Sequence, residues 1–438
     1  MDCSTLTTFR TGLYRCFVRS GDALMNLADA LLGETQARSL PELSLSAHCP
    51  RRWPSLYQAL QNATLDRAGL QRLFAAFVPL PTAGERLVLG IDSSPMARPV
   101  SDTARDRTAV HAPNLPPGCK PVTVGWHFST LVALPEVASS FTYVLDNQRI
   151  PSDQTPAQVG AQQLEQVVAW LPVRALLVGD RHYSSVAFLQ ATQDIACDKL
   201  LRLQKHRVLY RPAPPPTGER GRPKEDGDRF QPKDPTTHGE ADAHWEGVDA
   251  TGHRLEVTVW NALHFRQIRS QEVAVVRVTR HSAKDTARDP KVSWFLWLGQ
   301  QAAPLPAIAP LYRRRYSQEH GYRFDKQALL WQTPRLRTPE QMQVWTDVVA
   351  GVKNQIVLAY APGIGVRLPW ESPKRQTTPQ QVRRAMNRIL VELGTPASVP
   401  KRRGKSPGRR PGALVKPALR FPVIYKTKKK VQKTTQVV

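Results

Sequence analysis

Acidic residues are in short supply. Across 438 residues there are 36 Asp and Glu against 61 Lys and Arg, a formal net charge of +25. That imbalance points to a polyanionic partner, most often nucleic acid. Cysteine is sparse too: Cys3, Cys16, Cys49, Cys119 and Cys197 are scattered, with no CxxC pair. The scatter argues against a zinc site and a disulfide framework, and suits incidental thiols in a reducing cytoplasm. No apolar run reaches the ~20 residues needed to cross a bilayer, so no membrane role is expected. The opening MDCSTLTTFRTG lacks the apolar centre of a signal peptide. Internal repeats are missing as well. What remains is ample material for a core, with 41% hydrophobic residues and a length that suits two or three domains.

Residues 1 to about 84 read as a helical domain. Leu24, Leu27, Ala28, Leu31 and Leu32 recur at helical spacing, and further segments follow the breakers Pro41 and Pro50. This unit is either a small DNA-binding bundle or a packing domain. At Arg86 the character changes. Leu87 to Ile91 is an apolar run that stops at Asp92 and reads as a buried strand. Val122–Leu134 and Phe141–Leu145 continue as strands after a loop of Arg, Asp and Pro. A helix is expected over Thr155–Trp170, with Pro156 suiting its first turn. Val173 to Val178 is a further apolar run, ending at Gly179-Asp180. A helix from Ser184 and a strand around Lys199–Leu203 complete the order. The pattern is an α/β fold of domain 85–400, with a β-rich insertion at about 205–300.

Arg211 to His244 reads as a long Pro/Gly/charged loop. Within it Gly221-Arg222-Pro223 resembles a hook that inserts into a minor groove, where Arg side chains seek narrow A·T-rich DNA; a plain flexible loop is the alternative. Strands return over 253–299, and helices are expected at Glu340–Tyr360 and Thr378–Leu393, the second with Thr378 as N-cap. From 401 to 438 the tail carries thirteen Lys or Arg and no acid. Its composition predicts disorder unless bound, and a grip on phosphates without sequence readout.

The chain is organised around YRRRYSQEHGYRFDK, Tyr312 to Lys326. On one α-helix the side chains of Tyr312, Arg315, Glu319 and Lys326 fall within roughly 60° of one another. One face then carries a carboxylate that can hold a metal ion, flanked by cations that can hold phosphates. Arg314 points about 100° away and is expected to matter less. Asp92 and Asp180 each end an apolar strand, and a helix packed across those ends would bring Glu319 to them. Three converging carboxylates repel, and bound divalent cations resolve the repulsion. Mg²⁺ suits all-oxygen ligands that also hold phosphate. Two such ions can activate an attacking oxygen and stabilise a leaving one.

The order Asp92, Asp180, Glu319 on this strand pattern resembles the DDE transposases. Tyr312-x2-Arg315-x3-Glu319-x6-Lys326 fits the YREK signature of one group of bacterial insertion-sequence transposases at all four positions. The likeness spans about residues 86–360. GIDSSPMARP departs from a DxT-style first motif but keeps the acid.

The resemblance implies an RNase H-like mixed sheet with flanking helices, and a β-rich insertion before the helix of the catalytic Glu. It implies DNA end cleavage and strand transfer, with Asp92, Asp180 and Glu319 holding two Mg²⁺, for which Mn²⁺ can substitute. Tyr312, Arg315 and Lys326 would bind end phosphates. A Trp of the insertion, Trp294 or Trp297, would stack on a flipped base, with the filling of the β core as the plain alternative. The expected partners are terminal inverted repeats and target double-stranded DNA, bound by a homodimer in a nucleoid-associated, cytoplasmic setting. A non-catalytic, decayed DNA-binding protein and an RNase H-like nuclease without strand transfer are the competing readings. His182, near Asp180, reads as structural, with a phosphate contact as the alternative.

Overall fold

The structure is a computed structural model. It describes residues 3–112, 121–215, 223–250, 252–281, 291–361, 364–401, 408–414 and 417–425. Five helices come first: α1 (Cys3–Cys16), α2 (Gly21–Gly33), α3 (Leu40–Leu43), α4 (Trp53–Asn62) and α5 (Arg67–Ala76). Then follow β1 (Leu87–Ala97), β2 (Thr108–His111), β3 (Val122–Ala133), β4 (Tyr143–Ile150), α6 (Pro156–Val168), β5 (Ala175–Gly179), α7 (Val186–Ala191) and β6 (Cys197–Arg202). The β-rich stretch holds β7 (Leu209–Tyr210), β8 (Arg229–Phe230), β9 (Ala243–Val248), β10 (Arg254–Phe265), β11 (Ile268–Arg280) and β12 (Lys291–Leu298). The chain closes with α8 (Leu305–Arg313), α9 (Tyr316–Gln327), α10 (Pro339–Leu358) and α11 (Pro379–Leu393).

The strands form one mixed sheet in the order β2-β3-β1-β5-β6-β12-β11-β10-β7-β8, with β4 on β3 and β9 on β10. Its heart is parallel, because β1, β5 and β6 are joined by helical crossovers. The mixed α/β architecture with flanking helices is compatible with an RNase H-like fold. The β-rich insertion joins the same sheet, because β12 pairs antiparallel with β6, Leu296 opposite Leu201. Two elements in stretches read as loops are strands: β2 between the first two expected strands, and β8 in the Pro/Gly segment.

Three helices open on the same short phrase. Thr155 with Gln158, Thr338 with Gln341 and Thr378 with Gln381 each form a reciprocal capping box, with Pro at the first helical position. Helix α2 is buried from Ala23 to Leu32 all the way round. Such a helix must sit inside a core, and α2 packs against α1, α4, α10 and α11. Arg383 of α11, itself buried, donates to the carbonyls of Leu31, Glu34 and Ala328. The N-terminal helices thus share one core with the C-terminal ones. Helix α10 lies on β4, where the Asn354 amide pairs with both backbone groups of Val144.

Candidate active site

Strand register builds the site. The parallel pairing of β1 with β5 ends at Ile91 opposite Gly179. The next residues on the two strands are Asp92 and Asp180, so their carboxylates leave the sheet side by side. Contrary to the sequence reading, β1 does not stop at Asp92. It runs on to Ala97, held by antiparallel pairing with β3 that places Asp92 opposite Thr130. What ends at Asp92 is the parallel ladder.

Helix α9 crosses this point because β1 leaves room for it. A side chain at Gly90 would come within 2.7 Å of the Gln318 Oε1. Gln318 donates to the Thr130 carbonyl at 3.0 Å, and the Tyr322 hydroxyl donates to the Asp92 carbonyl at 3.0 Å. These two residues, one turn apart, pin one face of α9 to the sheet. Glu319 follows Gln318 and reaches the edge of that face, half exposed. Beneath α9, a buried ion pair of Asp325 with Lys353 at 2.8 Å ties it to α10.

The organising stretch is not one helix. Tyr312 belongs to α8, and the chain tightens through Arg314 and Arg315 before α9 begins. Arg315, Ser317 and Gln318 each donate to the carbonyl three residues back, as in a 3₁₀ turn. Arg314 accounts for the tightening. It is buried, and its guanidinium donates to the carbonyls of Leu134 and Pro135 at 2.8 and 3.0 Å. Arg314 thus has a structural role that the sequence reading did not assign it: it anchors the turn that presents Arg315.

Arg315 occupies the centre of the site. Its guanidinium reaches Asp92 Oδ2 at 3.4 Å and Glu319 Oε1 at 2.8 Å. Burial opposes its charge, but Tyr312, Asp92, Glu319 and Asp180 outweigh burial and raise its pKa. Burial lifts the Asp92 pKa to about 6, against the pull of Arg315 and with help from the negative charges of Asp180 and Glu319. Asp180 is engaged by His182, whose backbone N–H bonds Oδ1 at 2.9 Å and whose Nδ1 meets Oδ2 at 2.8 Å. Half-buried Tyr312 packs on Phe295 with Arg202 above both rings. Burial raises its hydroxyl pKa, while Arg315 and Arg202 oppose the rise. Lys326 lies over the Tyr322 ring; burial lowers its pKa, opposed by Asp325 and Asp92.

Arg315 thus contacts Asp92 and Glu319, and Asp180, Tyr312 and Lys326 lie near enough to influence the charges of that group. In this arrangement, among the described residues, no group of three or more His, Cys, Asp or Glu side chains is close enough to hold a metal ion. The physical reason is visible: the Arg315 fork lies between Asp92 and Glu319 as their counter-charge. The donor set still fits a hard divalent cation, since it consists of carboxylate oxygens around a buried, mutually repelling Asp92.

Trp297 and Trp294 lie elsewhere. Trp297 is buried, donates to the Gln301 carbonyl at 2.9 Å and packs under Arg86, six residues before Asp92 on the chain. Trp294 stacks on Trp260 with ring centroids 5.7 Å apart. Both fill the β core, so neither is free to stack on a base in this arrangement. Arg222 lies outside the described residues. Sequence reading passed over Arg202, Gln318 and Tyr322, and left His182 out of the catalytic set. It also missed a cavity of about 340 Å³ beside Asp180, lined by Arg181, Arg202, Lys205 and His206. Its signal was present in the basic run RLQKHR that leaves β6.

Among the described residues, no helix is long and apolar enough to cross a membrane. A search of curated proteins found no match. The family model described as DDE superfamily endonuclease matches residues 12–263, more than half of the chain. The match contains Asp92 and Asp180 and stops before Glu319. Membership implies DNA as the substrate and fits the cation-bordered carboxylates at the strand ends. The chain belongs to the DDE superfamily endonucleases.

Proposed function

We propose that this protein is a DDE transposase of the YREK-signature group, which cleaves the ends of an insertion sequence and joins them to target DNA. The observation that carries the reading is the juxtaposition of Asp92 and Asp180 at the end of one parallel ladder, with Glu319 brought across on α9. Asp92, Asp180 and Glu319 would hold two Mg²⁺, or Mn²⁺ in their place. The metal would supply activation of the attacking oxygen and neutralisation of the leaving one.

The chain's own groups do the rest. Arg315 presents a planar fork that fits phosphate oxygens as it fits carboxylates, so DNA entry lets it exchange one for the other. Tyr312 and Lys326 border the same phosphate path. His182 fixes the orientation of the Asp180 carboxylate. Arg181, Arg202 and Lys205 extend the path away from Asp180. The partners are terminal repeats and target duplex, held by a homodimer in the DNA complex. The N-terminal helices and the basic tail are assigned to DNA binding. Arg222 is retained as a candidate minor-groove contact.

The test uses a duplex carrying an element end, with cleavage measured in Mg²⁺ and joining measured separately from a pre-cut 3′-OH end. Wild-type protein should do both, and Asp92→Asn should do neither while retaining DNA affinity. Cleavage without joining would favour the nuclease reading. Wild-type rates in Asp92→Asn would remove Asp92 from the site.

A further inference from the structure

Two distant parts of the chain meet around a cavity of about 1060 Å³. Its walls come from the turn between α1 and α2, from α2 and α4, and from Pro400 and Lys401 beyond α11. A bond near its rim joins the two parts: the Ser398 N–H donates to Asp22 Oδ1 at 2.8 Å. None of Asp92, Asp180, Glu319 and Arg315 lines this cavity, so it is separate from the candidate active site.

Charge distinguishes it. Arg19, Arg51, Arg52 and Lys401 line the cavity against a single acid, Asp22. That acid is already engaged, since Asp22 Oδ1 also accepts from the Tyr14 hydroxyl at 2.7 Å. Arg51 donates to Asn26 Oδ1 at 2.8 Å. Among the described residues, the side chains of Arg19, Arg52 and Lys401 make no hydrogen bond or ion pair, and all three residues are exposed. Cations gathered on a concave wall focus a positive potential there. A polyanion is the ligand that such a wall attracts.

Helix α4 supplies uncharged donors beside these cations. Its Leu56, Ala59 and Leu60 are buried. Ser55, Gln58 and Asn62, at offsets of three and seven, share a second face that lines the cavity. Their side chains are likewise unpaired among the described residues. Hydroxyl and amide groups next to Arg and Lys are the donors that hold phosphate and sugar in protein–DNA contacts.

We propose that this cavity seats the phosphodiester backbone of duplex DNA, with Arg19, Arg52 and Lys401 on phosphates and the Ser55, Gln58 and Asn62 face of α4 on phosphate and sugar oxygens. The site is composite, because the Ser398–Asp22 bond brings Lys401 to helices more than three hundred residues earlier in the chain. The assignment rests on DNA being the partner, as in the function given above, and is independent of strand transfer.

The test uses the full chain and a duplex carrying an element end. Arg19→Gln/Arg52→Gln/Lys401→Gln should lower the log–log salt slope of binding by about 2.7, near 0.9 for each cation. The variant Arg38→Gln/Arg337→Gln/Arg388→Gln removes the same charge from exposed positions outside the cavity and should leave the slope close to that of the wild type. Equal slopes in the two variants would overturn the site, since diffuse charge would explain binding. The replaced side chains of the cavity have no partners, so melting curves should superimpose. As a measurement independent of those variants, p-benzoylphenylalanine at position 58 should cross-link to the duplex; no adduct with DNA, or adducts with a second protein chain instead, would overturn the site. Binding without cleavage, with the slope lowered only in the cavity variant, would remove the transposase reading and keep the cavity. Cleavage by the wild type with an unchanged slope in the cavity variant would do the reverse.

Discussion

Acids and arginines meet in two regions of this molecule in opposite proportions. In the β-rich insertion, buried Asp249 faces Arg280 at 3.1 Å and Arg313 at 2.8 Å. Asp226 is held by Arg266, Arg269 and His264, which keep its carboxyl well below the usual range. There each acid is outnumbered. At the end of the β1–β5 ladder the ratio reverses at one cation: the Arg315 guanidinium bonds two carboxylates, Asp92 and Glu319, while Asp180 is held by His182. In a chain with a formal charge of +25, two carboxylates on one guanidinium run against the whole composition. The contrast separates an acid outnumbered by its cations from acids that share one, the arrangement on which the proposed metal site rests.

Breaking each region should therefore give opposite results. The largest effect on activity is expected for Asp180→Asn. End cleavage should fall by about a thousandfold or more, corresponding to several kcal/mol in the barrier. Its thermal unfolding in chelator should be unchanged or improved, since a like charge beside Asp92 is gone. A parallel drop in stability and rate would make Asp180 a packing residue. The largest effect on stability is expected for Asp249→Asn, which takes the acid away from Arg280 and Arg313. A loss of about 3–5 kcal/mol in denaturant unfolding is anticipated, and retention of full stability would contradict the completeness of that cluster.

Positions 314 and 315 sharpen the same comparison between adjacent residues. Arg314→Lys should destabilise by about 1–3 kcal/mol, because a point charge cannot satisfy both buried carbonyls. Arg315→Lys should leave the melting curve nearly in place and weaken cleavage. A rate assay alone would show two impaired variants, and the melting curves tell them apart.

A third site stands between the two regions. Asp146 and Asp347 share Arg67, at 3.1 and 3.3 Å, and also take hydrogen bonds from Gln163 and Gln343. Burial, opposed by Arg67, lifts Asp347 to about 6. Its folded pKa lies above the unfolded value near 4, so its contribution is fully present below about pH 4. That contribution is lost as pH rises through about 6. Asp347→Asn should flatten this part of the stability–pH curve and stabilise the protein above pH 6 by about 2–3 kcal/mol. An unaltered pH dependence would show that Arg67 already neutralises the site. The smallest effect belongs to the exposed Arg105–Glu340 pair, where Glu340→Gln should change stability by less than about 1 kcal/mol.

The adjacent ladder ends before Asp92 and Asp180 were legible in the sequence because an apolar run ending at a carboxylate is local information. So was the Thr378 N-cap of α11, written in adjacent residues, whereas the matching Thr338 cap of α10 went unread. The break between α8 and α9 was not, because it depends on carbonyls of Leu134 and Pro135, distant in sequence, that draw Arg314 inward. Strand β2 escaped notice for a similar reason: four residues, Thr108–His111, carry too little periodicity to stand out without their partner β3. Trp297 was misleading because an aromatic residue has the same signature in a core as at a ligand. Only its burial under Arg86 distinguishes the two.

The joint between β6 and β12 can close only late in synthesis. Leu201 waits for Leu296 before the sheet can extend, and Glu319 follows later still. A ribosome adding about 5–20 residues per second needs roughly 7–28 seconds to travel from Asp180 to Glu319. Throughout that interval the nascent chain carries two acids of the cluster and lacks the third. The proposed site therefore stays incomplete until that last acid has been made.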